Sequence, residues 1–86
     1  MEWSLGKRIK MARIERGISQ QQLARDAGLH QSHLSMIESD KHDPSATIVR
    51  TLAQVLRVNA NYLLGLSSDL REEPKKDNER LATAVA

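Results

Sequence analysis

Residues 18–38 read ISQQQLARDAGLHQSHLSMIE, two helix-length segments that meet at Gly28. In the first segment Leu23, Ala24 and Ala27 fall on one side at helical spacing, and in the second Leu34 and Ile37 do the same. Ala24 is small enough for two helices to cross closely. Gly28 can take the positive φ that ends a helix abruptly, and Leu29 then becomes an apolar plug beneath the turn. With the apolar sides facing inward, the second segment shows solvent a row made of Gln31, Ser32, Ser35 and Met36. Two short helices crossing through small residues, the second with a polar outer face, form a helix-turn-helix motif. Side chains of that kind suit the edges of bases in a duplex groove.

The flanking sequence supplies more helices. Ser4 is positioned as the N-cap of a first helix, about Leu5 to Arg16, with Leu5, Ile9 and Ala12 inward and Gly17 at its end. Ile18 then turns toward the core. Ser19 followed by Gln22 is a capping-box pattern for the second helix. The third helix, about Gln31 to Glu38, starts after His30, where serine, threonine or asparagine would cap better. SDKHDPS is a loop that delivers Ser45 as the cap of a fourth helix, about Ala46 to Leu56, whose stripe is Ile48, Leu52, Ala53 and Leu56. Val58 carries the chain onward to Asn59, which caps a short fifth helix with Leu63 and Leu64 inward, stopped by Gly65. From Ser67 the composition changes to SSDLREEPKKDNERLATAVA, with charges of both signs around Pro74. The expected organisation is all-α, with one five-helix domain over residues 1–66 and a polar tail over 67–86 that has too little apolar surface to fold alone.

Composition narrows the function. Eighty-six residues suit one small domain, which buries only about 60% of its unfolded surface, so pairing with a second copy would add stability. The length given leaves no room for a separate ligand-sensing domain. Without cysteine there are no disulfides, thiolate metal sites or cysteine nucleophiles, a composition that fits a reducing, cytoplasmic setting. No apolar stretch approaches the roughly 20 residues of a membrane span, and MEWSLGKR lacks the apolar run of a signal peptide. The net charge is only +2, but Lys7, Arg8, Lys10, Arg13, Arg16 and Arg25 crowd the first 25 residues against Glu2 and Glu15. A basic N-terminal half suits a polyanion. Trp3 and Tyr62 are the only aromatics, which favours duplex over single-strand binding, where bases stack on aromatic rings.

Several motifs taken in order, LGKRIKMARIERGIS, QQQLARDAGL, HLSMIES followed by DPS, and TIVRTLAQVLRVNANYLLG, resemble the Xre family of phage and bacterial repressors, the lambda-type repressor and Cro class. The resemblance covers about residues 4–66. It implies a compact five-helix lambda-repressor-like DNA-binding domain that works as a dimer on a two-fold symmetric operator. Asp40 departs from the pattern, because the family commonly has glycine there. Aspartate tolerates the left-handed region better than most residues, so the turn survives.

Within that frame Gln31 and Ser32 open the recognition helix and are candidates for base contact, Gln31 to adenine; Met36, one turn on, is suited to a thymine methyl. Gln20 at the first turn of the second helix is a candidate phosphate ligand, joined by Ser19, Ser35 and, in the following loop, Lys41. Arg13 and Glu38 match residues that pair in the family, tying the recognition helix to the scaffold while the arginine also faces phosphate. Ala60, Asn61 and Tyr62 are the candidate dimer contact, since Leu63 and Leu64 are expected to face inward and tyrosine combines a large apolar body with a polar tip. The bland alternative is that Tyr62 covers its own core.

His30, His33 and His42 lack a carboxylate at metal-binding spacing, so no metal or cofactor is expected. No nucleophile, acid pair or glycine-rich phosphate loop points to catalysis. The implied function is a double-stranded DNA-binding transcriptional regulator, a repressor, because a domain this small blocks a promoter by occupying it. Two alternatives stand beside it. One is an antitoxin whose tail binds a toxin protein. The other is a protein-interaction module that kept the fold and lost the DNA contacts; Met36 and Asp40 lean toward it, Gln20, Gln31 and the basic first helix against.

Overall fold

A computed structural model describes residues 3–67 and contains five helices: α1 (Leu5–Arg16), α2 (Gln20–Ala27), α3 (Gln31–Glu38), α4 (Ala46–Leu56) and α5 (Ala60–Leu63). The sequence also allows the tail a last turn or two of helix around Glu79 to Val85, a toxin contact or a share in the dimer, and these expectations fall on residues beyond those described. Caps set most of the helix boundaries. The hydroxyls of Ser4, Ser19 and Ser45 accept from the backbone N–H three residues on, at Lys7, Gln22 and Ile48, over 3.0–3.2 Å. Asn59 Oδ1 accepts from Asn61 N at 2.9 Å. His30 makes no such bond, so α3 begins without a side-chain cap.

The helices enclose one core. Ile9, Leu23, Leu34, Ile37, Leu52, Leu56 and Leu63 are fully buried, with Ala12, Ala24 and Ala53 filling the narrow crossings. Leu5, Ile18, Ala27 and Leu29 pack partly buried against this cluster. Leu29 lies beneath the α2–α3 turn, its N–H donating to Ala24 O at 2.8 Å. Fully burying side chains of this size contributes about 1.5–3 kcal/mol each, which the ordering of the chain largely offsets.

Two inward assignments need correction. In α4, Val49 is buried and Ile48 packs only partly buried against the core; a stripe on a 3.6-residue repeat passes between adjacent positions, and here it centres on Val49 with Ile48 at its edge. In α5, Leu63 is wholly buried while Leu64 is 49% exposed. Neighbours on a helix diverge by about 100°, and a single turn cannot aim both into one core. Leu64 is the C-cap of that turn.

Besides the Arg13–Glu38 pair, α1 and α3 meet backbone to backbone at Gly6, a contact the sequence does not signal. A Cβ on Gly6 would lie 2.3 Å from the carbonyl oxygen of Ile37 and 2.8 Å from that of Glu38, so glycine alone permits this approach. Asp40 holds the same junction. Its backbone takes φ 63°, the left-handed conformation expected there. Its carboxylate accepts from Gly6 N at 3.0 Å and from the Ser4 hydroxyl. The residue that stands where the family commonly has glycine therefore caps another helix. Arg57 ends α4 at φ 58°, where a left-handed non-glycine residue costs about 1–2 kcal/mol.

Candidate nucleic-acid interface

On α3 the burial pattern divides the residues by task. Leu34, Ile37 and Glu38 are buried, while Gln31, Ser32, Ser35 and Met36 are exposed, Met36 by 45%. An unbranched methionine at that exposure, with the core side already filled, presents a soft apolar surface.

Behind this row runs a connected set of polar side chains. Arg13 on α1 meets Glu38 in a two-point contact, Nε donating to Oε2 at 2.8 Å and Nη2 to Oε1 at 3.2 Å. Its Nη1 donates to Ile18 O at 3.0 Å, tying the α1–α2 connection to the same group. The two side chains are 13% and 3% exposed, so this is a buried pair with fork geometry rather than a surface ion pair. Gln20 adds a third donor, its Nε2 lying 3.2 Å from Glu38 Oε1. Gln31 Nε2 in turn donates to Gln20 Oε1 at 3.4 Å. Among the described residues no buried side-chain nitrogen or oxygen lacks a partner.

The structure thus joins to the Arg13–Glu38 pair both Gln20 and Gln31, to which the sequence assigned the separate tasks of phosphate and base contact. Ser19 is occupied as a cap. Ser35 shares with Lys10, Arg13, Gln20, Glu38 and Ser39 the lining of a cleft of about 320 Å³ between α1 and α3. Lys10 is the residue sequence reasoning missed here. It is exposed and makes no ion pair among the described residues, whereas the charge of Arg13 is balanced by Glu38. Its place one turn before Arg13 on α1 was the available signal. Lys41 is exposed in the loop after α3, its N–H donating to Met36 O at 2.8 Å.

Away from this face, Tyr62 is half-buried against the core beneath Arg8, whose guanidinium lies 5.1 Å from the ring centroid. Arg8 also donates to Trp3 O at 3.1 Å and Tyr62 O at 3.4 Å. Ala60 is half-buried, and Asn61 is exposed. The rings of His33 and His42 meet edge-on, 4.7 Å between centroids. Among the described residues no group of three or more metal-ligating side chains is gathered, and no helix is long and apolar enough to cross a membrane.

Fold and site together define a helix-turn-helix domain of the lambda-repressor, or Xre, type. The chain belongs to the family described as Helix-turn-helix domain, whose model matches residues 6–67. Among curated relatives, the immunity repressor protein of Bacillus phage phi105 is 34% identical over 83 residues, covering 96% of this chain and 58% of the relative. The transcriptional regulator ImmR of Bacillus subtilis (strain 168) is 36% identical over 76 residues, covering 88% and 56%. The chain therefore spans a little over half the length of these two relatives. A crystal structure of SinR, a master regulator for biofilm formation, in complex with DNA aligns over 70% of this chain and 97% of that one, with 39% identity and a TM-score of 0.67. Their names are those of a repressor, a transcriptional regulator and a regulator solved in complex with DNA.

Proposed function

We propose that this chain is a sequence-specific, double-stranded DNA-binding transcriptional regulator that acts as a repressor, with α3 entering the major groove. The observation that carries this is the exposed row of Gln31, Ser32, Ser35 and Met36 on a helix whose opposite side is locked into the core. Names of relatives, an immunity repressor and a regulator solved on DNA, support the same reading. Gln31 and Ser32 contact base edges and Met36 a thymine methyl. Gln20, Ser35, Lys41 and the cap Ser19 lie along the phosphate backbone, and Arg13 serves it mainly by holding Glu38.

Two copies would pair near α5 and hold their recognition helices about 34 Å apart, one duplex turn, on an inverted-repeat operator. Ala60, Asn61 and Tyr62 are the first candidates for the contact. Tyr62 is engaged beneath Arg8, and the exposed Leu64 and Leu66, the latter 75% exposed, extend the apolar surface of the contact. Sedimentation of Leu66→Lys tests this, with a shift toward monomer expected; an unchanged dimer would place the contact elsewhere.

Selection of bound duplexes from a random pool tests the function as a whole. An inverted repeat should emerge, with affinity falling about 10³–10⁵-fold between 50 and 200 mM salt if a dimer makes six to ten phosphate contacts. Equal affinity for selected and scrambled duplexes at every salt concentration would overturn it, and would leave the interaction-module alternative in its place.

A further inference from the structure

The chain of hydrogen bonds behind α3 has a direction. A carboxylate paired with a guanidinium only accepts, so Gln20 must turn its amide nitrogen toward Glu38, as it does at 3.2 Å. Gln20 Oε1 then faces outward and can only accept. Gln31 must meet it with Nε2, at 3.4 Å, because the reverse orientation would set two carbonyl oxygens against each other. What Gln31 has left for a groove is its carbonyl oxygen and one N–H. Adenine offers a donor at N6 and an acceptor at N7, whereas guanine offers acceptors at both N7 and O6. Gln31 oriented in this way matches adenine at two points and opposes guanine at one.

We propose that Glu38, almost wholly buried and two side chains removed from Gln31, is the positioning residue that sets the base Gln31 selects. The inference rests on α3 being a base-reading helix. Arg13 supplies the condition for it, since its two donors hold the carboxylate fixed in place. Specificity at one base pair is therefore stored in the scaffold as well as on the reading surface. Replacing Glu38 by glutamine keeps the shape but creates a side chain that can donate or accept, so either orientation of the two outer amides becomes available.

The test uses the whole chain and duplexes carrying each base pair at the position where Gln31→Ala removes preference. The wild-type protein should favour adenine over guanine there by about 5- to 150-fold. In Glu38→Gln that ratio should collapse toward parity while preferences at the other operator positions stay. Each ratio compares two duplexes with one protein preparation, so a lower folded fraction cancels. Val49→Ala, which loosens the core without touching the chain of bonds, should keep the wild-type ratio. Should Glu38→Gln not fold, Gln20→Ala removes the middle link, leaves the Arg13–Glu38 pair intact and should show the same local collapse. Retention of the adenine preference in these variants, a wild-type preference for guanine, or relaxation spread evenly over all positions would each overturn the proposal while leaving DNA recognition standing. A wild-type protein without any sequence preference would instead remove the DNA-reading function itself.

Discussion

The two ends of α3 are held in opposite ways. Its C-terminal end is fixed by the buried Arg13–Glu38 pair, by the backbone approach at Gly6 and by Asp40, all within a few residues of one another. Its N-terminal end has no side-chain cap and carries an exposed Gln31 joined to the scaffold by a single 3.4 Å bond to Gln20. The anchored end sets where the helix lies. The looser end exposes its side chains to a ligand without involving the core, and it is the end that a major-groove reader presents to bases.

Stability measurements can break or sharpen this contrast. Arg13→Met strips Glu38 of its main partner inside the protein and should cost about 3–5 kcal/mol in urea denaturation; a loss below about 1 kcal/mol would mean the pair behaves as an exposed one and the anchor is weak. Gly6→Ala forces a methyl group against two backbone carbonyls that cannot rotate away, and a destabilisation of about 1–3 kcal/mol, toward the upper end, is expected by the same assay. Asp40→Ala loses the bond to Gly6 N and keeps a left-handed backbone without aspartate's tolerance for it. About 1–2 kcal/mol should be lost, read most directly as faster amide exchange at the start of α1. At the other end the sign reverses. His30→Asn supplies the absent cap and should raise stability by about 0.5–1 kcal/mol, seen as a higher thermal midpoint; no gain would show that the start of α3 is already satisfied by other means.

The helices were legible because their signals are local. Ser4, Ser19 and Ser45 sit three residues before the N–H groups they cap, and Gly17 and Gly28 stand where positive φ is needed. Most of the core followed from spacing on single helices. The errors arose where spacing is degenerate: Ile48 against Val49, and Leu63 against Leu64, are neighbours that one face cannot fully share. Long-range features carried no local mark. Nothing near Gly6 in sequence announces the carbonyls of Ile37 and Glu38, and Asp40 read as a tolerated irregularity before its bond to α1 was visible. Arg13 with Glu38 could be named only through resemblance to a family, and the link from Glu38 to Gln31, the two ends of α3, passes through Gln20 on α2, a route that nothing local to either residue marks.

The approach at Gly6 has an electrostatic consequence as well as a steric one. It places the first turn of α1, where backbone N–H groups make the helix end partly positive, against the last carbonyls of α3, where the end is partly negative. The two peptide dipoles adjoin head to tail, and the carboxylate of Asp40 sits on the seam, against the positive end of α1. Opposite partial charges compensate one another at this junction. The start of α3 is different: it has no side-chain cap, so its first backbone N–H groups, beside Gln31, are left without a side-chain acceptor on the side where the proposed reading brings a polyanion.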